Sequence, residues 1–358
     1  MSADPRQHPI VRSVGRVLPD HHVDQETLIA VFRELWSGQH YNPARLEDLH
    51  RAVGVKGRHL ALPLSRYAEL RGFARCNDAW IPAAVDLGER AVRDALARAG
   101  IAPADVDHLY FVTVTGIATP SVDARLVNRL RMKPTVKRTP IFGLGCVAGA
   151  TGLTRAADAL RAYPGEVAVL LSVELCSLTL QRDDLSVANL IASGLFGDGA
   201  AAVVLEGGAR PPGPGPRVLA SRSSFYPDTE RVMGWDVVEG GFKVVLSSSV
   251  PEEVRARLGG DVDHFLGDLG LSRGRIRHWI AHTGGPKVLQ ACEAALELPE
   301  GALERSWRSL SEVGNLSSAS VLFVLGELLD SGEARPGDLG LLLAMGPGFC
   351  AELVLLQW

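Results

Sequence analysis

Two spacings of apolar residues alternate along the chain. Between Ala84 and Ala99, small and apolar side chains stand at 84, 87, 88, 91, 92, 95 and 99. That is the spacing of one helix face, and Gly100 follows where a C-cap glycine would end it. His108 to Val114 is instead a continuous apolar run with β-branched residues, the mark of a strand buried on both faces. Gly116 to Pro120 reads as a turn and Val122 to Leu130 as a second helix. Thr139 to Leu144 then reads as a strand, Val147 to Ala162 as a helix, and Glu166 to Val173 as another buried strand. Ahead of these, Pro9 to Val17 predicts a short strand. Asp24 predicts the N-cap of a helix with Leu28, Val31, Phe32 and Leu35 on one face. Helices alternating with buried strands predict an α/β fold with a mostly parallel sheet.

The second half repeats the plan. Leu195 to Leu205 predicts a strand, a Gly197-Asp198-Gly199 turn and a second strand. Glu206 to Arg217 is rich in glycine and proline and reads as a linker, which divides the chain into 1–208 and 217–358. Beyond it, Val250 to Leu269, Pro286 to Leu298 and Ser317 to Ser331 predict helices, and His278 to His282 a short strand. Leu339 to Met345 and Cys350 to Gln357 are strands on either side of Gly346-Pro347-Gly348. This closing strand–turn–strand echoes the one expected around Gly197, so two halves of similar topology are expected, each ending in a hairpin.

Composition narrows the class. At 358 residues, 46% hydrophobic and 22% charged, the chain has the make-up of a soluble globular protein of two domains or one duplicated one. A net charge of −4 gives no electrostatic case for nucleic acid or an anionic membrane surface. The histidines are scattered and no C-x-x-C spacing occurs, so no metal site is expected. Five widely spaced cysteines, an odd number, suit a reducing cytoplasm better than a disulfide framework. Met1 to His8 lacks an apolar signal core, and no apolar run reaches the roughly 18 residues of a membrane span.

Chemistry concentrates at element ends. Phe142 to Gly152 places Cys146 among glycines, between a predicted strand and a predicted helix. A sharp turn there exposes a nucleophile, and a helix N-terminus lowers a thiol pKa. The same stretch also describes a buried structural thiol. His282-Thr283-Gly284-Gly285-Pro286 carries a histidine out of a strand. Gly314-Asn315-Leu316-Ser317-Ser318-Ala319-Ser320 sets an asparagine before a helix. Singly, these suit a satisfied buried histidine and a turn residue. Together with Cys146 they form a Cys, His, Asn set at strand ends, where α/β sheets bind ligands. A thiolate can take an acyl group. An amide N–H and an imidazole N–H can polarise a thioester carbonyl and stabilise an enolate, and the Gly346-Pro347-Gly348 backbone can serve an oxyanion on Cys146. Arg45, Arg51, Lys56 and Arg58 make a basic stretch, either a solvated face or a landing site for a phosphate-bearing substrate.

These motifs, in this order, resemble the type III polyketide synthases, the chalcone- and stilbene-synthase-like condensing enzymes. The motifs are Gly145-Cys146-Val147-Ala148-Gly149, Leu195-Phe196-Gly197-Asp198-Gly199-Ala200-Ala201, His282-Thr283-Gly284-Gly285-Pro286, Gly314-Asn315-Leu316-Ser317-Ser318-Ala319 and Gly346-Pro347-Gly348. The stretches Thr115 to Ser121 and Glu174 to Leu178 resemble the bacterial branch. The resemblance implies a thiolase-like fold with a duplicated αβαβα five-layer core, a homodimer, acyl-CoA and malonyl-CoA as substrates, and no cofactor or metal. It implies Cys146 as acyl carrier, and His282 as the group that holds it as thiolate and assists malonyl decarboxylation. Asn315 would polarise the malonyl carbonyl with His282, and Phe196 would stand between the coenzyme A tunnel and the cavity. Val244 stands where plant members have a second gating phenylalanine, and Thr283 where proline is usual. Cys176, Thr179, Trp235 and Ser317 would line the cavity, and Arg45 and Arg51 lie near the basic residues that meet coenzyme A. The implied reaction is repeated decarboxylative condensation, then cyclisation to an alkylpyrone or alkylresorcinol. The alternatives are a tetrahydroxynaphthalene built from malonyl-CoA alone, a single condensation of the ketoacyl synthase kind on a carrier protein, and a catalytically silent partner subunit.

Overall fold

The computed structural model describes residues 8–37, 42–211 and 213–358. The reading of Met1 to Gln7 therefore lies outside the described residues. The first strand, β1 (Ile10–Val17), leads to a small antiparallel pair, β2 (His21–Asp24) and β3 (Gly57–Leu60), with α1 (Gln25–Leu35) and α2 (Pro43–Ala52) between them. Asp24 caps α1 by accepting the Thr27 N–H at 2.9 Å, as its place before the apolar face predicted. The long helix α3 (Gly72–Ala99) ends at Gly100 in the left-handed conformation, φ 68°. Its second half is the periodic segment. Its first half was not legible because residues 72–79 are exposed or half-buried and show no apolar stripe, and Pro82 lies inside the helix.

The rest of the first half runs β4 (His108–Thr113), α4 (Val122–Leu130), β5 (Lys137–Phe142), α5 (Ala148–Ala162), β6 (Val167–Leu175), α6 (Val187–Leu195) and β7 (Asp198–Glu206). The second half has β8 (Arg217–Phe225), the hairpin of β9 (Met233–Val238) and β10 (Gly241–Leu246), then α7 (Val250–Asp268), β11 (Ile276–Ala281), α8 (Pro286–Leu296), α9 (Glu304–Val313), α10 (Ser320–Ser331), β12 (Leu339–Gly346) and β13 (Cys350–Gln357).

Two expectations need correction. Leu195 closes a helix and Asp198 already opens β7, so no strand precedes the Gly197-Asp198-Gly199 turn. A short apolar run does not by itself separate a buried helix end from a strand. The halves therefore do not both end in hairpins: β12 and β13 turn directly on each other, whereas β7 pairs antiparallel with β6 after an excursion through α6.

The sheet is also mixed rather than mostly parallel. Its order is β11-β12-β13-β8-β1-β7-β6-β4-β5 in one nine-stranded sheet. The pairs β4–β5, β4–β6 and β11–β12 are parallel, and those in the middle are antiparallel. Continuous apolar runs report burial on both faces, and direction was inferred from burial. Here helices cover antiparallel strands as fully as parallel ones.

The duplication is explicit in the pairing. β1, β7, β6 and β4 have β8, β13, β12 and β11 as counterparts, with the same relative directions. Three hydrophobic clusters then give the layers. α3 and α4 pack on the outer face of the first half, and α7 and α8 on the outer face of the second. α5 and α10 are shared between the halves. The order is αβαβα, the thiolase-like arrangement.

The shared layer positions the site, because α5 follows Cys146 and α10 follows Asn315. The two helices meet closely at their starts. A Cβ on Gly149 would fall 2.1 Å from the Ser318 carbonyl oxygen. Gly149→Ala is therefore expected to destabilise the fold by about 1–3 kcal/mol through overpacking, read as a lower midpoint of thermal unfolding. An unchanged midpoint would show that this helix contact yields freely.

Candidate active site

β5 delivers Cys146 through Gly143 and Gly145, both at positive φ, 96° and 58°. A single turn, Gly145–Val147, then passes into α5. The strand–turn–helix presentation is as expected. The Gly346-Pro347-Gly348 loop lies on this turn: a Cβ on Gly145 would sit 2.8 Å from the Pro347 ring, and one on Gly346 2.7 Å from the Val147 nitrogen. The loop's backbone is thus packed against the nucleophile turn.

Asn315 is held by backbone before its side chain acts. Its N–H donates to the Leu195 carbonyl at 2.9 Å, and its carbonyl accepts the Gly197 N–H at 3.0 Å. This forms a parallel bridge with Phe196. Its Oδ1 accepts from the Ser317 N–H at 2.8 Å and the Ser320 hydroxyl at 3.3 Å. With Oδ1 committed to its own loop, the NH2 is the end left to act as donor.

Cys146 and Asn315 meet at this loop. The Ser317 hydroxyl is 3.9 Å from Sγ. Burial pushes the Cys146 thiol up to about 12, hydrogen bonds from Ser317 and the Asn315 side chain oppose the rise, and the charge of Glu174 adds to it. The helix start therefore does not win over desolvation.

His282 leaves β11 with its N–H on the Leu343 carbonyl at 3.0 Å. Leu343 belongs to β12, whose last residue packs on Val147, so one strand connects the histidine with the cysteine turn. Among the described residues neither ring nitrogen of His282 has a partner, and burial drives the imidazole down to about 4. Thiol and imidazole are both pushed toward their neutral forms.

Phe196, Cys176, Thr179, Trp235 and Val244 all line one cavity of about 430 Å³. Trp235 and Val244 are direct cross-strand partners in the β9–β10 hairpin. Ser317 instead sits on the sulfur. Leu28, Val31, Phe32 and Leu35, the expected apolar face of α1, form part of the same cavity wall. Arg51 pairs with Glu26 at 2.9 Å and with Glu47 at 3.3 Å, so its guanidinium is already engaged. Arg45 lies exposed in the first turn of α2.

Sequence reasoning missed two charged groups. Arg58 is 2% exposed and donates to the Ser193 and Phe196 carbonyls at 2.8 and 2.9 Å and to the Gln25 side chain. By sequence it is one cation in a basic stretch, and its place two residues before Leu60, on the same face of a strand, is the signal that marks it as buried. Glu174 is fully buried on β6. It accepts from Val114 N–H at 3.1 Å, the Thr115 hydroxyl at 3.0 Å and the Ser318 hydroxyl. Burial raises its carboxyl to about 7. A carboxylate interrupting an apolar strand was the available sign.

Sequence comparison decides the family. Residues 3–211 match the profile of the N-terminal domain of chalcone and stilbene synthases, and residues 217–358 match that of the C-terminal domain. The chain belongs to the chalcone and stilbene synthase family. The chalcone and stilbene synthase fold is also what the solved structures share. The crystal structure of 1,3,6,8-tetrahydroxynaphthalene synthase from Streptomyces coelicolor A3(2), a bacterial type III polyketide synthase, superposes with a TM-score of 0.93 at 32% identity, over 98% of this chain and 99% of that one. The 1,3,6,8-tetrahydroxynaphthalene synthase of Streptomyces peucetius subsp. caesius is 52% identical over 97% of this chain and 93% of its own. Phloroglucinol synthase of Pseudomonas fluorescens is 32% identical over 96% and 97%.

The protein is thus a type III polyketide synthase, a decarboxylating acyltransferase that extends coenzyme A thioesters and cyclises the product. Such enzymes need no cofactor beyond those thioesters. Among the described residues, no helix is long and apolar enough to cross a membrane, and no cluster of His, Cys, Asp and Glu could hold a metal.

Proposed function

We propose that this enzyme is primed and extended by malonyl-CoA alone and releases a polyhydroxylated naphthalene. The observation that carries the choice of substrate is the tetrahydroxynaphthalene synthase 52% identical over nearly the whole chain. Trp235 supports it by taking up cavity space opposite Val244. Incubation with malonyl-CoA, alone and with a panel of acyl-CoAs, tests it by mass spectrometry. A tetrahydroxynaphthalene mass from malonyl-CoA alone is expected, and product only when an acyl-CoA is present overturns it. The second reading, a fatty acyl starter leading to an alkylpyrone or alkylresorcinol, is favoured by the apolar α1 wall of the cavity and is the reading that second outcome would select.

The steps follow from the site. Sγ of Cys146 attacks the starter thioester as its proton passes to His282. The oxyanion forms beside the Gly346-Pro347-Gly348 backbone and collapses, coenzyme A leaves as its thiol with the proton from His282, and the acyl group stays on sulfur. Malonyl-CoA then loses CO2. The enolate oxygen takes hydrogen bonds from the Asn315 NH2 and a ring N–H of His282, donors that no protein group competes for at the histidine. The enolate carbon attacks the acyl group on Cys146 and expels the Cys146 thiolate, leaving the lengthened chain on coenzyme A, from which it returns to Cys146 for the next round. Phe196 and Val244 stand at the gate, and Cys176, Thr179 and Trp235 shape the space for the growing chain.

The assembly we propose is a homodimer formed through β5. This strand ends the sheet, and five of its six residues are exposed. Phe142 and Ile117 beside it are each 48% exposed. An unpaired edge with apolar flanks is a template for a second copy. The halves 1–208 and 217–358 are proposed as the two units of the duplication, and the unpaired state of all five cysteines suits the cytoplasm.

A further inference from the structure

Asp198, the acid of the Gly197-Asp198-Gly199 motif, has no part in the steps above, yet it is fully buried one element away from the cavity. Its Oδ1 accepts the Ser177 N–H at 2.8 Å, and its Oδ2 accepts the Ala61 N–H at 2.6 Å and the Ser177 hydroxyl. Ser177 Oγ in turn lies 2.6 Å from the Tyr67 hydroxyl. Ser177 has one hydroxyl hydrogen and Asp198 holds it, so Tyr67 must be the donor to Ser177. The hydrogens therefore point one way, from Tyr67 through Ser177 to Asp198. Both Tyr67 and Ser177 line the 430 Å³ cavity. Two backbone N–H groups and one hydroxyl already satisfy the carboxylate. The phenol adds nothing to that, but it carries the hydrogen-bond chain out to a second residue of the cavity wall.

We propose that Tyr67, Ser177 and Asp198 form a proton-accepting relay in the cavity wall that drives ring closure of the bound polyketone. This inference rests on the polyketide reading of the site. A methylene between two ketones gives its proton to Tyr67 Oη as Tyr67 passes its own to Ser177 Oγ and Ser177 passes its own to Asp198 Oδ2. The C–H electron pair stays on the substrate as an enolate. The enolate carbon bonds to a second ketone carbon of the same chain, whose π pair becomes an alkoxide. The alkoxide recovers the proton as the three transfers reverse, and the relay returns to its starting state. Asp198 suits the accepting end because burial lifts its carboxyl to about 6, close to neutrality but still ionised at pH 7. Tyr67 suits a carrier, because burial and the charge of Asp198 raise its phenol and keep it protonated. Arg58, whose positive charge reaches Asp198, faces the same carboxylate.

The test compares the full-length wild type with Tyr67→Phe, Ser177→Ala and Ser177→Thr on malonyl-CoA. It reads the ratio of carbocyclic to lactone product by mass spectrometry and the release of free coenzyme A. The ratio is expected to fall by about tenfold or more in Tyr67→Phe and Ser177→Ala, with coenzyme A release reduced by no more than about twofold, and Ser177→Thr is expected to restore the ratio. An unchanged ratio in the first two variants overturns the relay. So does a loss of coenzyme A release equal to the loss of ring product, which is the result of a merely structural role. A wild type that makes no polyketide from malonyl-CoA, with or without an acyl starter, overturns the underlying reading instead.

Discussion

Cys146→Ala is expected to abolish product formation, with a loss of at least about 10³-fold in turnover, because the acyl chain is held covalently on its sulfur. Cys176 is another buried thiol, and it lines the cavity. Burial and the charges of Glu174 and Asp198 raise it well above an ordinary thiol, which keeps it in the unreactive thiol form. The measurement is intact-protein mass spectrometry after exposure to a coenzyme A thioester. The wild type should gain one acyl group, and Cys146→Ala none. Acyl transfer to the variant, or continued product, would move the covalent role away from Cys146. The variant should fold normally, since a smaller side chain at a 6% exposed position leaves its turn and α5 intact.

The same cysteine shows where sequence reasoning reaches and where it stops. Its strand, turn and helix were legible because glycines and small residues change the local pattern abruptly. Asn315 and the Gly346-Pro347-Gly348 loop were legible for the same reason. The direction of the thiol's pKa was not. That depends on how much protein covers the sulfur, and the covering groups come from the turn before α10, from β12 and from β6, distant in the chain. Arg58 shows the same limit in a different way. Beside Arg51 and Lys56 it looks like part of a solvated face, but the fold lays α6 over it and converts it into a buried donor to the Phe196 carbonyl. Strand direction was hidden as well, since helices cover both faces of the antiparallel centre and erase the alternation that would have revealed it.

Asn315→Asp is expected to lower malonyl-CoA decarboxylation by about 10²–10³-fold while leaving the loop in place. The reason lies in how the two ends of the amide are used. Oδ1 accepts from the Ser317 N–H and the Ser320 hydroxyl. An aspartate keeps that oxygen and both of those bonds, and the backbone bridge to Phe196 does not involve the side chain at all. What changes is the other end, where an NH2 donor becomes a second carboxylate oxygen. A developing enolate oxygen then meets negative charge where it had met a hydrogen-bond donor. The added charge also stands beside Sγ and hinders thiolate formation, as Glu174 already does, so acylation of Cys146 should slow too. The ratio separates the two effects: CO2 release is expected to fall further than the rate of Cys146 acylation by a coenzyme A thioester. The thermal midpoint reports whether the loop survived. If decarboxylation runs at the wild-type rate with the midpoint unchanged, the Asn315 amide is not the donor that holds the enolate, and His282 must do so without it.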